Sequence, residues 1–198
     1  MKVGVLGIQG AVSEHVEMSR KAMQEMHIDG EVLIVKKLEQ LEKIDALIIP
    51  GGESTTISSM LKRTGMFNAV IEKAKKGMGI MGTCAGSILL AKEVEGREVE
   101  TLGLMDIAVS RNAYGRQIDS FECDVEIKDF DTPFHAVFIR APVITRAWGE
   151  ASVLATLKEQ ILMVKQNKFL ALTFHPELSA DTRIHKMFLN MTGSQQFS

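Results

Sequence analysis

Three short stretches near the start of the chain, Val3 to Ile8 (VGVLGI), Val32 to Val35 (VLIV) and Ala46 to Pro50 (ALIIP), are apolar without alternation. A strand with one wet face alternates apolar and polar residues. Unbroken apolar runs of this length belong to strands covered on both faces, as in a parallel sheet. Between the first two runs, Ala11 to Met26 places Val12, Val16, Met23 and Met26 on one helical face. A second helix is predicted over Phe67 to Lys76, ending near Gly77. A short strand, Gly79 to Met81, then runs straight into a turn at Cys84, and Ala85 to Lys92 is predicted helical. This β-α-β-α rhythm predicts an α/β three-layer sandwich around a mainly parallel central sheet.

From about Val99 to Lys168 the pattern changes. Phe121 to Ile127 (FECDVEI) alternates, Ala136 to Pro142 is a short run, and QILMVKQNKFLALTF reads as a hairpin with Asn167 near its turn. These are expected to be a few antiparallel strands appended to the sheet. A last helix carries Ile184, Met187, Phe188 and Met191 on one stripe, with Ser179 and Asp181 as candidate N-caps. There are no repeats, low-complexity segments or linkers, so residues 1–198 are expected to form a single domain of ample core size.

Other features exclude function classes. A net charge of −2 gives no bulk attraction for nucleic acid. The cysteines are Cys84 and Cys123, too few for a disulfide scaffold, and neither has a companion at zinc-ligand spacing. The N-terminal apolar run is too short for a signal peptide, and no run approaches the roughly 18 residues of a membrane span. A reducing cytoplasmic setting is expected, keeping Cys84 a free thiol. The methionines read as adaptable core filler.

Cys84 sits in Gly82-Thr-Cys-Ala-Gly86, the G-x-nucleophile-x-G form of a nucleophile elbow. A buried cysteine is usually an inert small hydrophobe. A strained strand-to-helix turn, however, needs small flanking residues where backbones approach. Such a turn projects the sulfur at a helix start, which favours thiolate, and aims the Ala85 N–H at an oxygen beside it. The partner motif is Phe174-His-Pro-Glu-Leu178 after an apolar strand. In an extended segment His175 and Glu177 would face the same way, Glu177 orienting the ring and His175 serving as base. Pro176 disfavours a helical conformation at His175. Both motifs lie at the carboxyl ends of predicted strands, where open α/β sheets place their sites. A third motif, Pro50-Gly-Gly-Glu-Ser-Thr-Thr56, reads either as a plain turn capped by Ser54 or Thr55, or as an anion-stabilising loop.

Together these motifs resemble the class I, triad-type glutamine amidotransferases, and within them the family of glutaminase subunits of pyridoxal 5′-phosphate synthase. The resemblance is carried by GVLGIQGAVSEH (Gly4 to His15), PGGESTT (Pro50 to Thr56), GTCAGSILLAKE (Gly82 to Glu93), RNAYGRQIDSFE (Arg111 to Glu122), FIRAP (Phe138 to Pro142) and FHPEL. It implies a flavodoxin-like fold and a Cys84–His175–Glu177 triad that hydrolyses glutamine through a γ-glutamyl thioester. It further implies an oxyanion hole of the Gly52 and Ala85 N–H groups, and glutamine contacts at Gly52, Glu53, Ser54, Arg111, Ile139 and Arg140. The ammonia would pass to a separate synthase subunit within a large hetero-oligomer that makes pyridoxal 5′-phosphate. No metal or redox cofactor is implied.

Two positions depart from the family pattern. Ser87 stands where an aliphatic residue is common, and Ala113-Tyr114 replace a small-polar and aromatic pair. The sequence leaves open a glutaminase serving another acceptor, such as imidazole glycerol phosphate synthase, whose signature after the first strand differs from GIQGAVSEH. A thiol hydrolase of related fold and a non-catalytic scaffold also remain. The H-P-E and P-G-G motifs disfavour the hydrolase, and the retained Cys, His and Glu disfavour the scaffold.

Overall fold

Because successive strand residues point to opposite faces, an apolar run splits between two cores, and the strands in the first half of the chain do so. In β3 (Ala46–Ile49), Leu47 and Ile49 join one buried cluster while Ala46 and Ile48 join the other. The computed structural model describes residues 1–96, 98–111 and 120–193. Ala113, Tyr114 and most of the RNAYGRQIDSFE segment lie outside the described residues.

The sheet begins with β1 (Lys2–Leu6) and β2 (Glu31–Val35), joined through α1 (Val12–Glu25). The short α2 (Leu38–Leu41) leads to β3, and α3 (Ser54–Arg63) and α4 (Met66–Lys75) lead on to β4 (Gly79–Thr83). After α5 (Ala85–Leu90) come β5 (Ala91–Glu95), β6 (Met105–Ser110), β7 (Ser120–Val125) and β8 (Phe134–Ile139). Then follow β9 (Val143–Ala147), β10 (Ser152–Leu157), β11 (Gln160–Gln166), β12 (Phe169–Leu172) and α6 (Arg183–Gly193). Among the described residues, ten strands make one sheet in the order β2-β1-β3-β4-β12-β11-β9-β6-β5, with β10 pairing β11. From β2 to β12 every pairing is parallel. That run has the flavodoxin-like order.

One face of the sheet is covered by α3, α4 and α5 through Ile57, Leu61, Val70 and Leu89. The other is covered by α1 and α6 through Val16, Met23, Ile184 and Phe188, and by β7 and β8 through Val125 and Phe138. The three-layer expectation holds, and the hairpin of β11 and β12 turns at Asn167, which takes φ 52°.

Several expectations are corrected. The helix after Cys84 ends at Leu90, and Lys92 belongs to β5, which pairs in parallel with β6. The strands β7 and β8 form a separate two-stranded sheet rather than extending the main one. The cap of α3 is Glu53, whose carboxylate accepts from the N–H groups of Thr55 and Thr56, and not Ser54 or Thr55. Of the caps predicted for the last helix, Asp181 accepts from the Arg183 N–H at 2.9 Å, while Ser179 Oγ accepts from Asp181 one turn earlier.

Candidate active site

The carboxyl ends of β1, β3, β4 and β12 meet at one end of the sheet, and each emits one sequence motif. After β4, Cys84 takes φ 49° and ψ −113°. Its N–H donates to Leu172 O at 2.8 Å, tying the elbow to β12. The close approach that requires glycine is visible at Gly86, where an added Cβ would run into the Ile49 carbonyl of β3. Ser87, the departure from the family pattern, closes the turn: its hydroxyl donates to Cys84 O at 2.7 Å. Ala85 is the first residue of α5, where helix N–H groups have no intrahelical acceptor.

His175 and Glu177 follow β12, but not in the extended form expected. His175 is non-helical (φ −107°, ψ 87°), and Pro176–Leu178 is a single 3-10 turn opened by its proline. That turn swings Glu177 back to the ring, and His175 Nδ1 donates to Glu177 Oε1 at 2.8 Å. The segment is seated from outside: His175 N–H donates to Val137 O of β8 at 2.8 Å, and Phe174 packs against Phe134 and Phe138. The end of β8 also brings the Ile139 carbonyl to 3.7 Å from Cys84 Sγ.

Cys84 is the other group that acts on the His175 ring. Burial works against a charged ring, but the hydrogen bonds to Cys84 and Glu177 and the carboxylate charge outweigh it, raising the His175 pKa to about 10. Gly51 lies against both partners, since a Cβ there would sit 2.7 Å from the His175 ring and 3.2 Å from Cys84 Cβ.

In the loop after β3, Gly52 takes φ 139°, and the Glu53 N–H donates to the Gln9 side chain from the β1 loop at 2.9 Å. Burial opposes the charge on Glu53, yet hydrogen bonds from Thr55 and Thr56 pull its pKa down to about 2. Arg111 Nη2 donates to Glu53 Oε1 at 2.6 Å. Arg111 Nη1 and the Ser54 hydroxyl are buried without a hydrogen-bond partner among the described residues. Ile139 and Arg140 sit at the exposed end of β8, with Arg140 at φ 45°. The structure thus gathers Cys84, His175, Glu177, the glycine loop and Ile139, with Arg111 attached through Glu53. Among the described residues no cluster of His, Cys, Asp or Glu is placed to hold a metal ion, and no helix is long and apolar enough to cross a membrane.

Reading the motifs alone passes over Gln9, Thr83, His15 and His185. His15 is fully buried on α1 and contacts Thr83 Oγ1 at 3.1 Å. Its signal in the sequence is its place beside Val16 within the quoted GVLGIQGAVSEH segment, where a polar ring has no reason to be buried without partners. Cys123 keeps the inert setting: burial, then Asp124, push its thiol pKa up.

The pyridoxal 5′-phosphate synthase subunit PdxT of Pyrococcus horikoshii is 50% identical over 192 residues, covering 96% of this chain and 98% of that protein. The subunit of the same name from Staphylothermus marinus is 50% identical over 199 residues, covering 96% and 97%. A crystal structure described as glutamine amidotransferase superposes with a TM-score of 0.85 at 44% identity, covering 96% of this chain and 98% of that one. A Thermotoga maritima glutamine amidotransferase shares the fold alone, with a TM-score of 0.63 at 18% identity over 98% and 94% of the two chains. The SNO glutamine amidotransferase family matches residues 5–194, and the chain belongs to that family.

Proposed function

We propose that the chain is a glutaminase acting as one domain, which hydrolyses L-glutamine to glutamate and ammonia through Cys84, His175 and Glu177. The observation that carries this is His175 bonded to Glu177 at 2.8 Å, with its ring and Cys84 both set against Gly51. Cys84 gives its thiol proton to His175 as its sulfur attacks the side-chain amide carbon of glutamine, and the carbonyl oxygen takes the negative charge. The N–H groups of Gly52 and Ala85 receive that oxyanion. Collapse of the intermediate breaks the C–N bond, and the His175 imidazolium gives its proton to the leaving nitrogen, releasing ammonia. The neutral ring then takes a proton from water, whose oxygen attacks the γ-glutamyl thioester and frees glutamate. Glu177 keeps the ring oriented throughout.

Substrate binding draws on groups with spare capacity. The buried Arg111 Nη1 and Ser54 hydroxyl lack partners among the described residues, which suits them to the glutamine α-carboxylate and amide. Glu53 holds Arg111 and keeps its charge at any physiological pH, which favours an α-ammonium group. Ile139 and Arg140 complete the rim. The relatives carry the name of a pyridoxal 5′-phosphate synthase subunit. In this chain the same role means handing ammonia to a separate synthase subunit of a large hetero-oligomer that builds pyridoxal 5′-phosphate. A reducing cytoplasm suits its free Cys84 and Cys123.

The test is ammonia release from glutamine with and without the synthase subunit, for wild type and Cys84→Ala. Release that rises with the synthase and vanishes in Cys84→Ala is expected. Release surviving in Cys84→Ala would sink the mechanism, and no release even with the synthase would remove the partner assignment.

A further inference from the structure

Buried polar groups continue beyond Glu177. His15 Nε2 lies 3.2 Å from Glu177 Oε2 and 3.1 Å from Thr83 Oγ1, and His15 Nδ1 lies 3.2 Å from Nε2 of His185 on α6. Both rings are buried. Glu177 Oε2 has no well-aligned donor, and His185 Nδ1 is an orphan, among the described residues. The His15 N–H therefore points chiefly at Thr83 and passes beside the carboxylate.

The proton on His15 has two possible seats, and the neighbours choose between them. Placed on Nδ1, it would set the Nε2 lone pair against a carboxylate oxygen. It would also make His185 Nε2 an acceptor and strand a buried N–H donor at His185 Nδ1. Placed on Nε2, it removes both penalties: His185 Nε2–H donates to His15 Nδ1, and only an unfilled acceptor is left at the orphan nitrogen. Burial drives both rings toward the neutral form this arrangement needs, lowering His15 well below its usual value and His185 to about 4. The titratable groups facing His15 are His185 from α6 and His175 and Glu177 from the turn after β12; Thr83 from β4 is uncharged.

We propose that His15 is a positioning residue for the glutaminase reaction, its proton fixed on Nε2 by His185 and presented to the second oxygen of Glu177. Glu177 thus faces two imidazole N–H groups, one from His175 on the catalytic side and one from His15, which leads on to α6. This rests on the glutaminase reading for its substrate, but not for its chemistry at Cys84.

The experiment compares His15→Leu and His15→Gln with wild type in the synthase-containing complex. It reads kcat and KM for ammonia release, and the pH profile of Cys84 alkylation by iodoacetamide. Without the His15 N–H beside it, the Glu177 carboxylate charge loses a neighbouring dipole, and so gives less support to the His175 imidazolium. In His15→Leu, kcat is expected to fall about tenfold with KM within a factor of about two. The acid limb of alkylation should move up by about one pH unit. His15→Gln, which keeps an N–H near the Nε2 position, should recover most of both. Should His15→Leu not fold, His185→Leu removes the donor that fixes the tautomer and should move the limb in the same direction. An unmoved acid limb overturns the proposal, whether kcat is unchanged or merely lower, because a packing defect lowers rate without moving it. If wild type releases no ammonia but the limb still moves, the glutaminase reading fails and the positioning role stands.

Discussion

At Cys84 the backbone sits at φ 49° and ψ −113°, a conformation that costs on the order of 1–3 kcal/mol for a residue with a Cβ. Four neighbours hold it there: Leu172 O accepts its N–H, Ser87 donates twice to its carbonyl, and Gly86 and Gly51 leave room on either side. Gly51 is the sharpest test at this scale. Gly51→Ala places a methyl 2.7 Å from the His175 ring, so the ring must turn away from Cys84 or Glu177. The expected result is a folded protein whose kcat for ammonia release falls about 100-fold, the usual consequence of moving a reacting group by about 1 Å. Steady-state kinetics beside a thermal melt checks it. Near-normal kcat would mean that the ring position is not critical.

At the scale of elements, the α1–α6 seam and the turn after β12 act on stability with opposite signs. His185 is depressed by burial to about 4, so between pH 4 and 6.5 the unfolded chain binds the extra proton and stability falls as pH falls. His175 is raised to about 10, so between pH 6.5 and 10 the folded chain binds the extra proton and stability falls as pH rises. These groups predict a maximum in Tm near pH 6.5. His185→Leu should flatten the acid side and Cys84→Ala the alkaline side, as read by melts across pH. The same elements show what the sequence discloses. The parallel strands were legible because covering both faces leaves no alternation to disguise them. By contrast, β5 reads AKEVE, a good helix sequence continuous with α5, and only pairing with β6 makes it a strand. The Ser- and Thr-rich start of α3 offers Ser54 or Thr55 as the cap of a strand-to-helix turn, but it is the longer Glu53 side chain that reaches the free N–H groups. The H-P-E spacing predicted a shared face correctly but for the wrong reason, since a 3-10 turn rather than strand alternation joins His175 to Glu177. The cluster of His15, Thr83 and His185 has no local signature, because its members are 68 and 170 positions apart along the chain.

For the whole molecule, the parallel arrangement of β1, β3, β4 and β12 is what converts scattered motifs into one site. Their carboxyl ends share a single edge, so Gln9, the Gly51–Gly52 loop, Cys84 and the His175–Glu177 turn arrive together from both halves of the chain. The hairpin of β7 and β8, clamped by Arg183 through Thr132 O at 2.7 Å and Pro133 O at 2.8 Å, then closes over Phe174 and sets Ile139 beside the sulfur. In the proposed reaction this arrangement makes Cys84, and not Cys123, the nucleophile toward glutamine. A diazoketone analogue of glutamine, incubated with the synthase-bound protein and mapped by peptide mass spectrometry, tests it most directly. Stoichiometric labelling on Cys84 alone is expected, with ammonia release lost in proportion and glutamine protecting. Label on Cys123, or full ammonia release from protein fully labelled at Cys84, would contradict it.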